Sequence, residues 1–193
     1  MIKRTVTYVA MHYLLCLCIF LCIQKPLFLL FNWNHGAAGC TFHDLATIYY
    51  HGFALDAATA GYLTAFPWLV LLIYNIFPAF SPRRIIIAYD ICIALLLSVI
   101  TLADASLYEF WEFKLDSTVF FYLNDPKNAF ASVSGWYISV RVIAIILLAA
   151  ILYWVLTLPA NKIKIQPAAR SGKIPALLLM LLAGGCLFGA IRG

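Results

Sequence analysis

"AATAGYLTAFPWLVLLIYNIFPAFSPRRIIIAYDICIALLLSVITL", residues 57–102, decides the architecture of this chain. Two long apolar runs, 57–80 and 85–102, flank a short segment holding Pro82, Arg83 and Arg84. A helix needs about 20 mainly apolar residues to cross a hydrocarbon core of about 30 Å. Each run reaches or approaches that length, and Asp90 is the one charge inside either. The stretch reads as two antiparallel membrane helices joined at a basic turn. Pro67 should kink the first of them, with a neighbouring helix or a Ser/Thr group covering the carbonyl that the missing N–H leaves free.

The rest of the chain follows the same pattern. Of its 193 residues 65% are hydrophobic and 11% charged, far from the balance of a soluble domain. Three more apolar runs, near 8–31, 136–158 and 174–191, complete a predicted set of five spans. The alternating ten-residue units of a membrane β-barrel are absent. The expected fold is therefore an all-α membrane protein: one five-helix domain over 1–193, with short amphipathic interfacial helices in its two outer loops.

Basic residues give the orientation, because Lys and Arg in short loops are held in the cytoplasm. Lys3, Arg4, Arg83, Arg84, Lys162, Lys164, Arg170 and Lys173 all fall in segments on one side of such a bundle. The segments 32–56 and 104–135 fall on the other, and they carry every acidic residue except Asp90. The reading is a multi-pass protein of the cytoplasmic (inner) membrane with the N-terminus inside and the C-terminus outside. The net charge of +5 follows from this topology and does not point to nucleic acid as a partner. The basic start followed by an apolar run also resembles a signal peptide, but the run is too long for one and reads as an uncleaved first span.

The two outer segments have order of their own. "TFHD", residues 41–44, fits a capping box. Phe42, Leu45, Ile48, Tyr49 and Phe53 recur at helical spacing and Gly52 offers a stop, so a short surface helix is expected over 41–53, with Asp56 capping the next span. His35, Cys40, His43, Asp44 and His51 are metal-ligating residue types, but their spacing matches no zinc motif and they read as interfacial polar residues. In the second segment, Leu107, Phe110, Trp111, Leu115, Val119 and Tyr122 form a helical stripe, with Glu109, Glu112 and Asp116 on the other side. That pattern predicts an acidic amphipathic helix over 108–123, lying in the interface where Trp and Tyr are favoured.

"YYHGFALDAATAGYL" (49–63), "ADASLYEFWEFKLDSTVFFYLNDPKNAFASVS" (103–134) and the terminal "IRG" resemble the amino-terminal membrane portion of lipoteichoic acid synthase-like proteins of the alkaline phosphatase/sulfatase superfamily, in particular the Gram-negative type. This chain has Glu112 where the family pattern has Gly. The resemblance implies a five-span anchor for an extracytoplasmic C-terminal catalytic domain. In the family, that domain uses a Thr nucleophile and a divalent metal, commonly manganese, to transfer a phosphoglycerol-type or phosphoethanolamine-type headgroup from a membrane phospholipid. None of the family's catalytic or metal-binding residues maps onto this chain, so no catalytic residue, metal ligand or cofactor site is expected in it. Its expected partners are the membrane phospholipid and that catalytic domain. Asp104, Tyr108, Trp111 and Lys114 are the candidate contacts to a lipid headgroup or to the docked domain. Two alternatives stand beside this reading: a non-catalytic scaffold with the same spans, and a small transporter, for which the internal repeat is lacking.

Two further expectations concern the spans. His12, Gln24, Lys25, Asp90 and Arg141 are polar candidates within them or at their ends, and their scatter over different spans argues against a catalytic set. "GGCLFG" in the last span places Gly185 and Gly189 on one face, where small residues should let another helix approach closely.

Overall fold

The computed structural model describes residues 2–33, 39–111, 134–163 and 173–192. All the regular structure among these residues is helical. The elements are α1 (Ile2–Ile19), a π-helical turn (Phe20–Gln24), α2 (Lys25–Phe31), α3 (Phe42–Ile76), α4 (Pro82–Trp111), α5 (Gly135–Lys162) and α6 (Lys173–Arg192). Five continuous helical segments are long and apolar enough to cross a membrane: Arg4–Phe31, Phe42–Ile76, Pro82–Tyr108, Gly135–Lys162 and Lys173–Arg192. The protein is thus a multi-pass, all-α membrane protein. Its exterior agrees: Leu178, Leu182, Ile146, Leu147 and Trp154 face outward, a surface that suits acyl chains and not water.

In two of the spans a proline interrupts the backbone ladder and a tyrosine from a neighbouring helix repairs it. Pro67, inside α3, has no N–H to give the Leu63 carbonyl, which instead accepts a 2.9 Å hydrogen bond from the Tyr89 hydroxyl of α4. That is the inter-helix cover anticipated for Pro67. In the first span the π-turn bonds the Lys25 N–H to the Phe20 carbonyl. Pro26 cannot continue that register to Leu21, and the Tyr49 hydroxyl of α3 fills the vacancy at 2.9 Å. Unsatisfied backbone is costly in a bilayer, so these bonds also fix the registers of the helices they join.

The Thr41 capping box forms as anticipated: the Asp44 N–H donates to Thr41 Oγ1 at 3.3 Å and the Thr41 N–H to the Asp44 carboxylate at 2.8 Å. The helix it starts does not stop at Gly52. α3 runs unbroken for 35 residues, about 52 Å at 1.5 Å per residue, so the expected surface helix and the second span are one element. Asp56 therefore caps nothing. Gly52 serves another purpose, since a Cβ there would lie 2.7 Å from Lys25 Nζ and the missing side chain makes room for that ammonium group. α4 likewise continues through Trp111, past the predicted end of the span at 102. Most of the predicted 108–123 interfacial helix lies outside the described residues.

α1 packs against α3, α5 and α6, while α4 lies along α5 and α6 along α3. One core cluster joins Cys16, Ile19 and Phe20 of the first span to Ala60, Ala94, Leu97, Leu148, Leu152 and Leu156. A second joins Tyr8 and Val9 to Val70, Leu71, Ile86, Ala160, Met180 and Leu187. The close approach in the last span comes from a different glycine than expected. Gly185 and Gly189 have nothing within 4 Å of a Cβ position, whereas one at Gly184 would sit 2.4 Å from the Trp68 ring. Trp68 reinforces that seam by donating its indole N–H to the Met180 carbonyl at 2.7 Å.

The helix ends sort into two groups. Arg83, at the start of α4, donates to the Ala160 carbonyl at 3.3 Å and to Asn161 Oδ1 at 2.9 Å near the end of α5. At the other end, Asn32 donates to the Ala105 carbonyl at 3.4 Å, and the Arg141 guanidinium lies 4.5 Å from the centre of the Phe31 ring. The first of these is called the basic end below.

Candidate functional site

Three spans bring polar side chains together inside the bundle. Tyr8, His12 and Cys16 repeat every four residues on α1 and so share one face. Opposite them, the bond between the Tyr89 hydroxyl and the Leu63 carbonyl aligns α4 with α3, and the residues next in sequence, Asp90 and Thr64, both reach His12. Phe66 stacks on Tyr89 with ring centres 4.5 Å apart and supports the same alignment. The proline in α3 thus has a structural consequence at the site: it frees the carbonyl through which this register is set.

His12 is engaged on both sides of its ring. Nε2 lies 3.2 Å from Asp90 Oδ1, and Nδ1 lies 3.1 Å from Thr64 Oγ1 and 3.6 Å from Cys16 Sγ. The Tyr8 ring stacks beside it at 6.3 Å and 21°. Every member is sealed from solvent, His12 and Cys16 at 1% exposure and Tyr8, Thr64 and Asp90 at 0%. With His12 neutral and Asp90 ionised, Nε2–H donates to the carboxylate and Nδ1 accepts from Thr64. A protonated ring donates at both nitrogens, with Thr64 Oγ1 turning to accept. Two buried atoms of the cluster, Asp90 Oδ2 and Tyr8 Oη, have no hydrogen-bond partner among the described residues.

The order Cys16, His12, Asp90 is that of a nucleophile, its base and an orienting acid. Burial of the sulfur leaves no approach for a substrate, and Thr64 holds the same ring nitrogen at a shorter distance. The chemistry this arrangement can carry is the holding and passing of a proton.

A second polar group lies at the end away from the basic one. Lys25 and Asp56 form an ion pair that joins the first span to α3, and the Lys25 ammonium also lies 5.3 Å from the centre of the Tyr49 ring. Arg141 sits over the rings of Phe31 and Tyr137, at 4.5 and 4.6 Å, and donates to the Tyr137 hydroxyl at 2.9 Å.

Of the candidates named from sequence, Asp104 is half-buried near the end of α4, and Tyr108 packs edge-on against Phe28 with ring centres 5.1 Å apart. Trp111 is the last residue of α4, and Lys114 lies outside the described residues. Among the described residues, no three His, Cys, Asp or Glu side chains are grouped to hold a metal ion.

Residues that the sequence scatters over different spans pair across helices in two places, His12 with Asp90 and Lys25 with Asp56. Asp90 lies fully buried against the first span. A signal for the first pair was available, since His12 and Asp90 each lie about two helical turns inward from the basic residues that open their spans. Antiparallel spans with the same basic side put both at one depth.

No family model matches the chain, and neither does any curated protein or solved structure.

Proposed function

We propose that this chain is the membrane-anchor domain of an extracytoplasmic enzyme of the sulfatase-like class, one that transfers a phosphoglycerol-type or phosphoethanolamine-type headgroup from a membrane phospholipid. The chain itself supplies no catalytic residue. It holds its catalytic domain at the outer leaflet, where the donor lipid is presented. In this reading the basic end faces the cytoplasm and the opposite end faces outward across the inner membrane.

The observation that carries the proposal is the character of that opposite end. Lys25 over Tyr49 and Arg141 over Phe31 and Tyr137 put cationic groups among aromatic rings, the residue types favoured at headgroup level. Tyr108 adds another ring against Phe28. Asp104 and Trp111 lead along α4 toward the segment that resembles the family, and in this reading Lys114 of that segment meets a lipid phosphate. The metal, manganese in the family, belongs to the catalytic domain, which also supplies the nucleophile.

The test uses the complete coding sequence, expressed and purified into lipid nanodiscs that carry phospholipid labelled in its glycerol backbone. Manganese-dependent release of labelled diacylglycerol is the expected result. A complete protein that releases none, with donor lipids of both headgroup types supplied, overturns the proposal.

A further inference from the structure

His12 and Asp90 form a fully buried ionisable pair in the membrane-spanning part of the bundle, and the groups around them decide what it can do. α1 adds the Tyr8 phenol and the Cys16 thiol, and α3 adds only the neutral Thr64. From α4 come Asp90 itself, Tyr89, whose hydroxyl is committed to the Leu63 carbonyl, and Arg83, whose guanidinium bonds to Ala160 and Asn161 at the basic end. Among the described residues, α5 and α6 contribute no hydrogen bond or ion pair to the cluster, and the imidazole is the one cationic partner that the Asp90 carboxylate has.

Ionised Asp90 beside neutral His12 leaves one uncompensated negative charge in a low-dielectric interior, which is strongly disfavoured. One added proton makes the pair neutral overall, as an imidazolium ring beside the carboxylate. The unfilled atoms point the same way. A latch serving only to hold helices would use all its bonding capacity, yet the Tyr8 hydroxyl and Asp90 Oδ2 are both buried and have no partner among the described residues. Tyr8 stands one turn nearer the basic end than His12, and its hydroxyl, like the carboxylate oxygen Oδ2, has bonding capacity left for water.

We propose that Tyr8, His12, Thr64 and Asp90 form an intramembrane proton-binding site, which holds one exchangeable proton between His12 and Asp90 and trades it with water at the basic end past Tyr8. On release the proton leaves as hydronium, and a neutral imidazole and an ionised carboxylate remain; uptake reverses this, and no electrons move. The inference is independent of the headgroup-transfer reading, because it uses no residue of the opposite end.

The test is made on the full chain in nanodiscs, with His35, His43 and His51 changed to Gln so that His12 is the one imidazole left. Nitrogen-15 chemical shifts of the ring are followed from about pH 5 to about pH 10, a range wide enough to bracket ordinary imidazole titration. The expected result is one reversible transition of the ring, accompanied by a change in a carboxyl infrared band that Asp90→Asn removes. Tyr8→Phe should slow proton exchange several-fold while leaving both end states unchanged. Ring shifts that stay constant over the whole range would overturn the proposal and leave the cluster a static latch. An exchange rate unaffected by Tyr8→Phe would overturn the route past Tyr8. Should Asp90→Asn fail to fold, the ring titration decides alone, because it is made with the cluster intact.

Discussion

Gly184→Ala should weaken the bundle far more than Gly185→Ala, although the two glycines are neighbours on one helix. The added methyl carbon at 184 would meet Trp68 Cζ2 at 2.4 Å and Cε2 at 2.8 Å, where ordinary contact begins near 3.4 Å. An indole ring has no flexible end to withdraw, so α6 must move outward by about 1 Å or the ring must turn. Overpacking of this kind costs about 1–3 kcal/mol. Either movement also strains the 2.7 Å bond from Trp68 Nε1 to the Met180 carbonyl, and hydrogen bonds between membrane helices are worth about 0.6 kcal/mol on average. The total is about 2–4 kcal/mol. At Gly185 nothing lies within 4 Å of the new carbon, and the change should stay within about 0.5 kcal/mol. Reversible unfolding in mixed micelles, read by tryptophan fluorescence and circular dichroism, measures both variants. Equal stabilities for the pair, or a larger loss at 185, would refute the packing of α6 on α3.

Asp90→Ala leaves His12 buried without its acid and should cost about 3–5 kcal/mol, whereas the double variant His12→Leu/Asp90→Leu should cost clearly less; thermal melts of the two compare them directly. Tyr89→Phe should lose about 1 kcal/mol by stranding the Leu63 carbonyl, a loss that the same melts would register. Gly52→Ala puts its methyl 2.7 Å from Lys25 Nζ, the far end of a flexible side chain, so it should cost under about 1 kcal/mol while uncoupling Lys25 from Asp56. Double-mutant cycles of Lys25→Met with Asp56→Asn check this, since the coupling measured with Gly52 in place should vanish in the Gly52→Ala background. In the complete protein, Trp111→Ala with Lys114→Ala should reduce headgroup transfer and leave hydrolysis of a small soluble phosphodiester unchanged.

The number of spans and their antiparallel order were legible because apolar length and the placement of Lys and Arg are local features of sequence. The 41–44 capping box was legible for the same reason: its two residues contact each other. Gly52 was misread because its partner, Lys25, lies on another helix, and glycine as a helix stop and glycine as a gap for a neighbour look alike in one strand of sequence. The same limit applied to Gly184 against Gly185, which only the position of Trp68 tells apart. The His12–Asp90 cluster depends on a helix register set by the Tyr89–Leu63 bond, a tertiary contact without a periodic trace. The equal depths of His12 and Asp90 were readable from their distance to the basic residues. Their mutual facing was not.

The proposed function depends most on the two ends of the bundle lying on opposite sides of the membrane, with the aromatic and cationic end outward. Single cysteines at Asn124 and at Lys162, each in a background with the native cysteines changed to alanine, can be tested in intact cells with a membrane-impermeant maleimide. Labelling at position 124 in intact cells, and at position 162 only after the membrane is opened, is the predicted result. Labelling at 162 in intact cells with 124 protected would contradict it, because the aromatic and cationic end would then face away from the leaflet that presents the donor lipid.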